Sequence, residues 1–191
     1  MASVPPAAVA VLAAGQSRRF GPADKLAAEF RGVMLGLHVC RTLAPLPFAH
    51  RWVIACSESH PCGQGWHAAG FAIAVNPAAA SGMGSSVALA AGLARQAGAS
   101  ALLIALADMP LVPAMFFADL LEQATPDVLV AAHNGSAPTP PALFGRNHFA
   151  RLMQASGDRG ARKLLAAAKV IPCDPLLLAD IDDPSALARL A

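Results

Sequence analysis

Five short apolar runs rich in Val and Ile mark the chain, at 8–14, 51–57, 71–76, 101–107 and 127–132, each followed by a loop and then by a stretch with helical spacing. Runs that are apolar on both faces predict strands covered from both sides, as in a parallel sheet. Residues 33–43, 84–96 and 113–124 carry apolar side chains three and four apart between Pro, Gly or Ser boundaries, and predict helices. The alternation predicts a three-layer α/β/α, Rossmann-like domain built on a mostly parallel sheet with right-handed crossovers. After residue 133 the pattern changes. The stretch Asn134-Gly135-Ser136-Ala137-Pro138-Thr139-Pro140-Pro141 predicts a turn-rich loop, followed by a short apolar piece, Ala142-Leu143-Phe144, and helices over 147–155 and 159–168. With no internal repeat and no long polar linker, residues 1–191 are expected to form a single domain, the proline-rich loop being part of a site rather than a boundary.

Composition narrows the possible partners. Fourteen Lys and Arg against twelve Asp and Glu leave a formal charge of +2, and the charged fraction of 14% is below the roughly 25% usual for a soluble domain. That balance excludes a basic arm for nucleic acid and a solvating acidic tail. The apolar fraction of 55% comes largely from alanine. No unbroken apolar run approaches the ~18 residues of a spanning helix, so no membrane partner is expected. The N-terminal stretch lacks a cationic region and a convincing cleavage site, which predicts a cytoplasmic protein. Cys40, Cys56, Cys62 and Cys173 fall at irregular spacings without a C-x-x-C pair, and are expected to be reduced, mostly buried thiols.

Ligands of open α/β sheets bind beyond the carboxyl ends of the strands, so the residues after each run carry the candidate chemistry. The first run leads into Leu12-Ala13-Ala14-Gly15-Gln16-Ser17-Arg18-Arg19-Phe20-Gly21-Pro22-Ala23-Asp24-Lys25. Small residues let backbone N–H groups approach a phosphate, Ser17 adds a hydroxyl, and Arg18, Arg19 and Lys25 add positive charge. The segment matches neither a Walker A loop nor G-x-G-x-x-G, and a cationic surface turn is the other reading. Asp108, in Ala107-Asp108-Met109-Pro110, ends a buried run, where it either ligates Mg²⁺ on a nucleotide or caps the turn before Pro110. The cluster Asp180-Ile181-Asp182-Asp183-Pro184 either caps the last helix, through Asp183 or Asp182 with Pro184 at its first position, or brings a second carboxylate to the same metal. Asn76 to Ser86 opens a helix with small and hydroxyl residues that suit a ribose or base edge, or simply cap it. The six histidines show no metal-ligand spacing and assemble no triad, and are read as packing or surface residues.

Taken together these segments resemble the nucleotidyltransferases of molybdenum-cofactor biosynthesis, MobA-like NTP transferase domains within the nucleotide-diphospho-sugar transferase fold. The signature L-A-A-G-x-S-x-R-F-G…K falls on Leu12 to Gly15, Ser17, Arg19, Phe20, Gly21 and Lys25; N-P…G-M-G-S-S falls on Asn76, Pro77 and Gly82 to Ser86; D-M-P falls on Asp108 to Pro110. Three further pieces resemble the cytidylyltransferase branch: Pro140 to Phe144, Gly157 to Arg162, and Asp180-Ile181-Asp182 with Pro184. The likeness runs from residue 9 to 187. It implies a Mg²⁺-dependent transfer of CMP from CTP to the terminal phosphate of molybdopterin, with or without bound molybdenum, releasing pyrophosphate.

In that reading Asp108 and Asp182 hold the metal, while Arg19, Lys25 and Asp108 are the catalytic set. Leu12, Ala13, Ala14, Gly15, Ser17, Arg19, Lys25, Asn76, Gly82, Met83, Ser85, Ser86 and Asp108 bind the nucleotide; Pro141, Asp158, Arg159 and Arg162 meet the acceptor. Whether Asp180 or Asp182 is the second metal ligand stays open. Guanylyl-transferring relatives usually carry Leu-Ala-Gly-Gly and a terminal Asn, so Ala14 and Asp182 point to CTP rather than GTP. The Gly-His-Pro often found before residue 142 is replaced by Ala137 to Pro141, a departure that falls on the acceptor side. A recipient molybdoenzyme is the implied protein partner. The alternatives are GTP as donor, a sugar or alcohol phosphate as acceptor, or a non-catalytic carrier of the pterin cofactor.

Overall fold

The computed structural model describes residues 6–15, 18–20, 24–157 and 164–191. The chain lays down β1 (Ala7–Leu12), a small hairpin of β2 (Glu29–Phe30) and β3 (Val33–Met34), α1 (His38–Leu43), β4 (His50–Ala55), α2 (Gly63–Ala68), β5 (Ala72–Val75) and α3 (Met83–Gln96). It continues through β6 (Ala101–Leu106), α4 (Ala114–Glu122), β7 (Leu129–His133), β8 (Pro138–Gly145), α5 (Phe149–Leu152) and β9 (Lys169–Pro172) to a C-terminal helix, Pro184–Leu190. The main sheet has the order β5-β4-β1-β6-β8-β7-β9. Every neighbouring pair is parallel except the two made by β8, which runs against both β6 and β7.

The strands form where the pattern places them because both of their faces are covered. All six residues of β1 are buried, and alternate side chains serve opposite layers. Val9 and Val11 point into a core with Leu35, Leu43, Trp66, Phe117 and Leu120, on the side of α1, α2 and α4. Ala8, Ala10 and Leu12 face Val87, Ala90, Ala91 and Ala94 of α3 and Phe149 and Leu152 of α5. Alanine on the strand meets alanine on the helix, so the high alanine content is placed where α3 lies close on the sheet. The result is the expected three-layer α/β/α arrangement. No helix among the described residues is long and apolar enough to cross a membrane.

Several local expectations need correction. The stretch 33–43 starts as β3, tightens into a 3-10 turn at Leu35–Leu37 and is α-helical only over α1. Residues 134–141 are not one long loop: β8 begins at Pro138 and runs eight residues. Prolines are tolerated there because the register shifts between Ala131, opposite Ala142, and Ala132, opposite Thr139, leaving Pro140 and Pro141 outside the β7 pairing. The helix expected over 147–155 is a 3-10 turn at Arg146–His148 followed by the single turn of α5. The first six residues of the helix expected over 159–168 include five outside the described set. The hairpin β2–β3, the helix α2 and the strand β9 were not expected from the pattern.

Because six strands run parallel, their carboxyl ends share one edge of the sheet. The loops after β1, β5 and β6 therefore meet there, and the backbone extends the pairing past the strands: Ala13 N–H donates to Ile54 O at 2.8 Å and Ala107 N–H to Leu12 O at 3.0 Å.

Candidate active site

A cleft of about 450 Å³ opens at that edge, lined by Leu12 to Gly15, Arg19, Lys25, the start of α3, Leu106 to Asp108, and Asp182. Its charged centre comes from three distant segments. Asp24 caps the 3-10 turn Lys25–Ala27, accepting from Leu26 N–H at 2.9 Å. From that turn the Lys25 side chain, only 9% exposed, donates to Asp108 Oδ2 at 2.7 Å and to Asp182 Oδ1 at 3.0 Å. Arg19 Nη2 donates to Asp182 Oδ2 at 2.6 Å from a far more exposed position. Asp182 reaches the cleft because Ile181 N–H donates to the backbone oxygen of Asp108 at 2.9 Å, stitching the C-terminal acidic segment to the β6 loop.

The charges hold one another in their ionised forms. Burial disfavours the Lys25 ammonium, but the Asp108 and Asp182 carboxylates outweigh it and raise its pKa above the ordinary value. Burial likewise disfavours ionised Asp182, yet the hydrogen bond and charge of Lys25, with Arg19, keep it below the usual carboxylate range. Asp180 goes the other way, pushed up by burial and then by the negative charges of Asp182 and Asp108. The neighbouring Asp183 does something different again: it caps the C-terminal helix, accepting from Ala186 N–H at 2.7 Å, with Pro184 in the first turn. Cap and cleft ligand are thus adjacent residues.

Asp108 and Asp182 aim hard oxygen donors at one shared cation, here the Lys25 ammonium, and Asp108 Oδ1 has no hydrogen-bond partner among the described residues. No group of three or more His, Cys, Asp or Glu set to hold a metal occurs among the described residues. A Mg²⁺ here would take two protein carboxylates and complete its shell with phosphate and water, as that ion prefers. The donor set fits it.

On the other wall, Gly82 opens α3 at φ 105° and ψ 172°, a conformation that only glycine adopts without strain. Gly84 lies so close to the chain at 156–157 that a Cβ would come within 2.6 Å of Gly157 O, and its N–H donates to that oxygen at 3.0 Å. Gly82, Met83 and Ser86 line the cleft. Asn76 and Ser85 do not. Asn76 is buried and gives its amide to Ser85 Oγ and Ser86 Oγ, both at 2.9 Å, while its Oδ1 accepts from Ala78 N–H. It shapes the loop that carries the lining residues. Beside Gly15 a Cβ would meet no atom of the described residues within 4 Å.

Of the residues singled out in the sequence, Leu12, Ala13, Ala14, Gly15, Arg19, Lys25, Gly82, Met83, Ser86, Asp108 and Asp182 meet in this one cleft. Pro141 is buried in β8 and does not line it. Ser17, Asp158, Arg159 and Arg162 lie outside the described residues. Leu26, Ala79, Ala80, Leu106 and Ala107 also line the cleft and were not singled out. They are apolar neighbours of motif residues and carry no signal of their own. His60, read as a packing or surface residue, bonds Asp24 through Nε2 at 2.7 Å. It follows the carboxyl end of β4, where the rule applied to the other strands would have found it.

Residues 9–171 match the family model of the MobA-like NTP transferase domain. The purine catabolism protein PucB of Bacillus subtilis (strain 168) is 32% identical over 186 residues, covering 91% of this chain and 90% of that protein. A nucleotidyl transferase from Methanothermobacter superposes with a TM-score of 0.80 at 17% identity, over 97% of this chain and 95% of its own. A manganese complex of the Mycobacterium tuberculosis protein Rv0371c superposes with a TM-score of 0.71 at 19% identity, over 97% of each chain. The last two are likenesses of fold. With small-residue loop, lysine and paired carboxylates assembled at the sheet edge and the family model covering most of its length, the chain belongs to the MobA-like NTP transferase family and is a nucleotidyltransferase.

Proposed function

We propose that the chain transfers CMP from CTP to the terminal phosphate of molybdopterin, alone or carrying molybdenum, with Mg²⁺ as cofactor. The observation that carries this reading is the meeting of Lys25 with Asp108 and Asp182 beside the small-residue loop Ala13 to Gly15, which lines the same cleft. In the reaction an oxygen of the acceptor phosphate forms a bond to the α-phosphorus of CTP, and the bond from that phosphorus to the β-phosphate oxygen breaks, releasing pyrophosphate. The attacking phosphate is already an anion, so no side chain has to remove a proton, and positioning with charge stabilisation supplies the catalysis.

Lys25 and Arg19 carry the positive charge that faces the crowded α-phosphate and the leaving pyrophosphate. Backbone amides of Ala14 and Gly15 hold the triphosphate against the sheet edge, and Gly82, Met83 and Ser86 flank the nucleoside. Mg²⁺ held by Asp108 and Asp182 supplies further positive charge to the phosphates, a reading supported by the manganese bound in a structural neighbour. Ala14 and Asp182 favour CTP over GTP. Asp158, Arg159, Arg162 and Pro141 are assigned to the acceptor. A relative named for purine catabolism supports a molybdoenzyme of that catabolism as the recipient of the product.

The test supplies purified protein with Mg²⁺, molybdopterin or its molybdenum form, and CTP or GTP in turn, and follows pyrophosphate and dinucleotide. Product with CTP alone is expected. Product with GTP would overturn the reading of Ala14 and Asp182, and binding of nucleotide without turnover would favour a carrier. Replacing Asp108→Asn is expected to lower kcat by about a hundredfold or more with folding intact.

A further inference from the structure

Lys25 is held from behind by groups that never reach the cleft. His60 Nδ1 accepts from the backbone N–H of Cys62 at 3.0 Å, which leaves the ring's single proton on Nε2. That Nε2–H donates to Asp24 Oδ2 at 2.7 Å. The other oxygen of Asp24 caps Leu26 N–H at 2.9 Å, in the turn that begins at Lys25. The same turn is gripped on its far side, where the Cys62 thiol donates to Leu26 O at 3.2 Å. The His60 ring stacks on buried Trp66 with centroids 4.6 Å apart, and Trp66 Nε1–H is itself fixed by Gly36 O at 2.8 Å. A continuous series of hydrogen bonds and one ring stack therefore runs from the fully buried core to the backbone beside Lys25.

We propose that His60 and Asp24 are a positioning pair for nucleotidyl transfer: they fix the turn from which Lys25 reaches between Asp108 and Asp182. The proposal rests on the catalytic reading of Lys25 given above. A capping residue alone would need only the Asp24–Leu26 bond. The neutral His60, locked on both nitrogens and stacked on Trp66, adds a rigid anchor for the carboxylate that a mere cap does not require. A shift of the turn by an ångström moves the ammonium off the reacting phosphates, a displacement that can cost on the order of a hundredfold in rate.

Three variants separate the parts. His60→Phe keeps the stacking on Trp66 and removes both polar contacts. His60→Gln keeps an N–H donor toward Asp24. Asp24→Ser keeps the cap on Leu26 and removes the partner of His60. The first readout needs no substrate: amine labelling of Lys25 relative to exposed Lys169 in the free protein, scored by mass spectrometry together with the melting temperature. Labelling of Lys25 is expected to rise at least roughly threefold in His60→Phe and Asp24→Ser as the turn loosens, and to stay near the parent value in His60→Gln. The second readout is pyrophosphate release, with kcat expected to fall about tenfold or more in the first two variants, KM for CTP nearly unchanged, and recovery in His60→Gln. Unchanged labelling in folded His60→Phe and Asp24→Ser overturns the pair. Raised labelling with unchanged kcat overturns its part in catalysis. A parent protein that releases no pyrophosphate refutes the activity reading instead, and labelling still decides whether the pair holds Lys25.

Discussion

Lys25 has three N–H bonds, and two of them already point at carboxylates. A third is left for phosphate, and the same ammonium stands at the point that Asp108 and Asp182 offer to a divalent cation. In the resting protein lysine and metal therefore compete for one pair of acids. Removing the ammonium by Lys25→Met should tighten Mn²⁺ binding to the nucleotide-free protein by about tenfold or more, since a unit charge about 4 Å away opposes the ion in a medium of intermediate dielectric. The same substitution should lower turnover by about a hundredfold. Electron paramagnetic resonance of free Mn²⁺ reads the first effect and pyrophosphate release the second; weaker Mn²⁺ binding would contradict the shared position. Lys25 and Asp108 were legible in the sequence because each lies in a segment that follows a buried run, and Asp182 because it stands in the C-terminal acidic cluster. The position of His60 after β4 was open to the same rule, but its role was not legible, because its partner Asp24 belongs to another loop and only the folded chain brings them together.

At the scale of elements, the C-terminal acidic segment divides two tasks between neighbours. Asp183 is the cap and Asp182 the cleft ligand. Replacing Asp183→Ala should cost about 1 kcal/mol of stability with activity kept, while Asp182→Ala should abolish most turnover with a smaller effect on melting. Paired urea melts and rate measurements check the split. The sequence allowed both roles for Asp182, and what decides between them is the long-range bond of Ile181 N–H to Asp108 O. Strands buried on both faces were legible as continuous apolar runs. β8 was masked by its prolines, which local turn preference reads as a loop and the register shift against β7 accommodates. β9 is a four-residue strand with mostly exposed side chains, and it presents no apolar pattern to read. α2, with two glycines in six residues, has poor helical propensity and is held by the burial of Trp66.

Over the whole molecule, stability should vary with pH through His60. Burial lowers its pKa below 6.5 despite the neighbouring Asp24, so the folded protein keeps the ring neutral while the unfolded chain takes up a proton. The unfolded state then binds more protons below about pH 6.5, and stability falls as pH drops through that value toward the lower folded pKa. His60→Gln removes this dependence. Its melting temperature should fall less than the parent's between about pH 7.5 and about pH 5.5, by differential scanning calorimetry. The order of the strands has a consequence for where the chain can be cut. Among the described residues β7 joins the central sheet through β8, and β9 joins it through β7. Asp182 lies beyond β9, 157 positions from the lysine it meets. A chain ending before that segment would keep Lys25 and Asp108 but lack one of the two carboxylates, half of the cation's protein ligands.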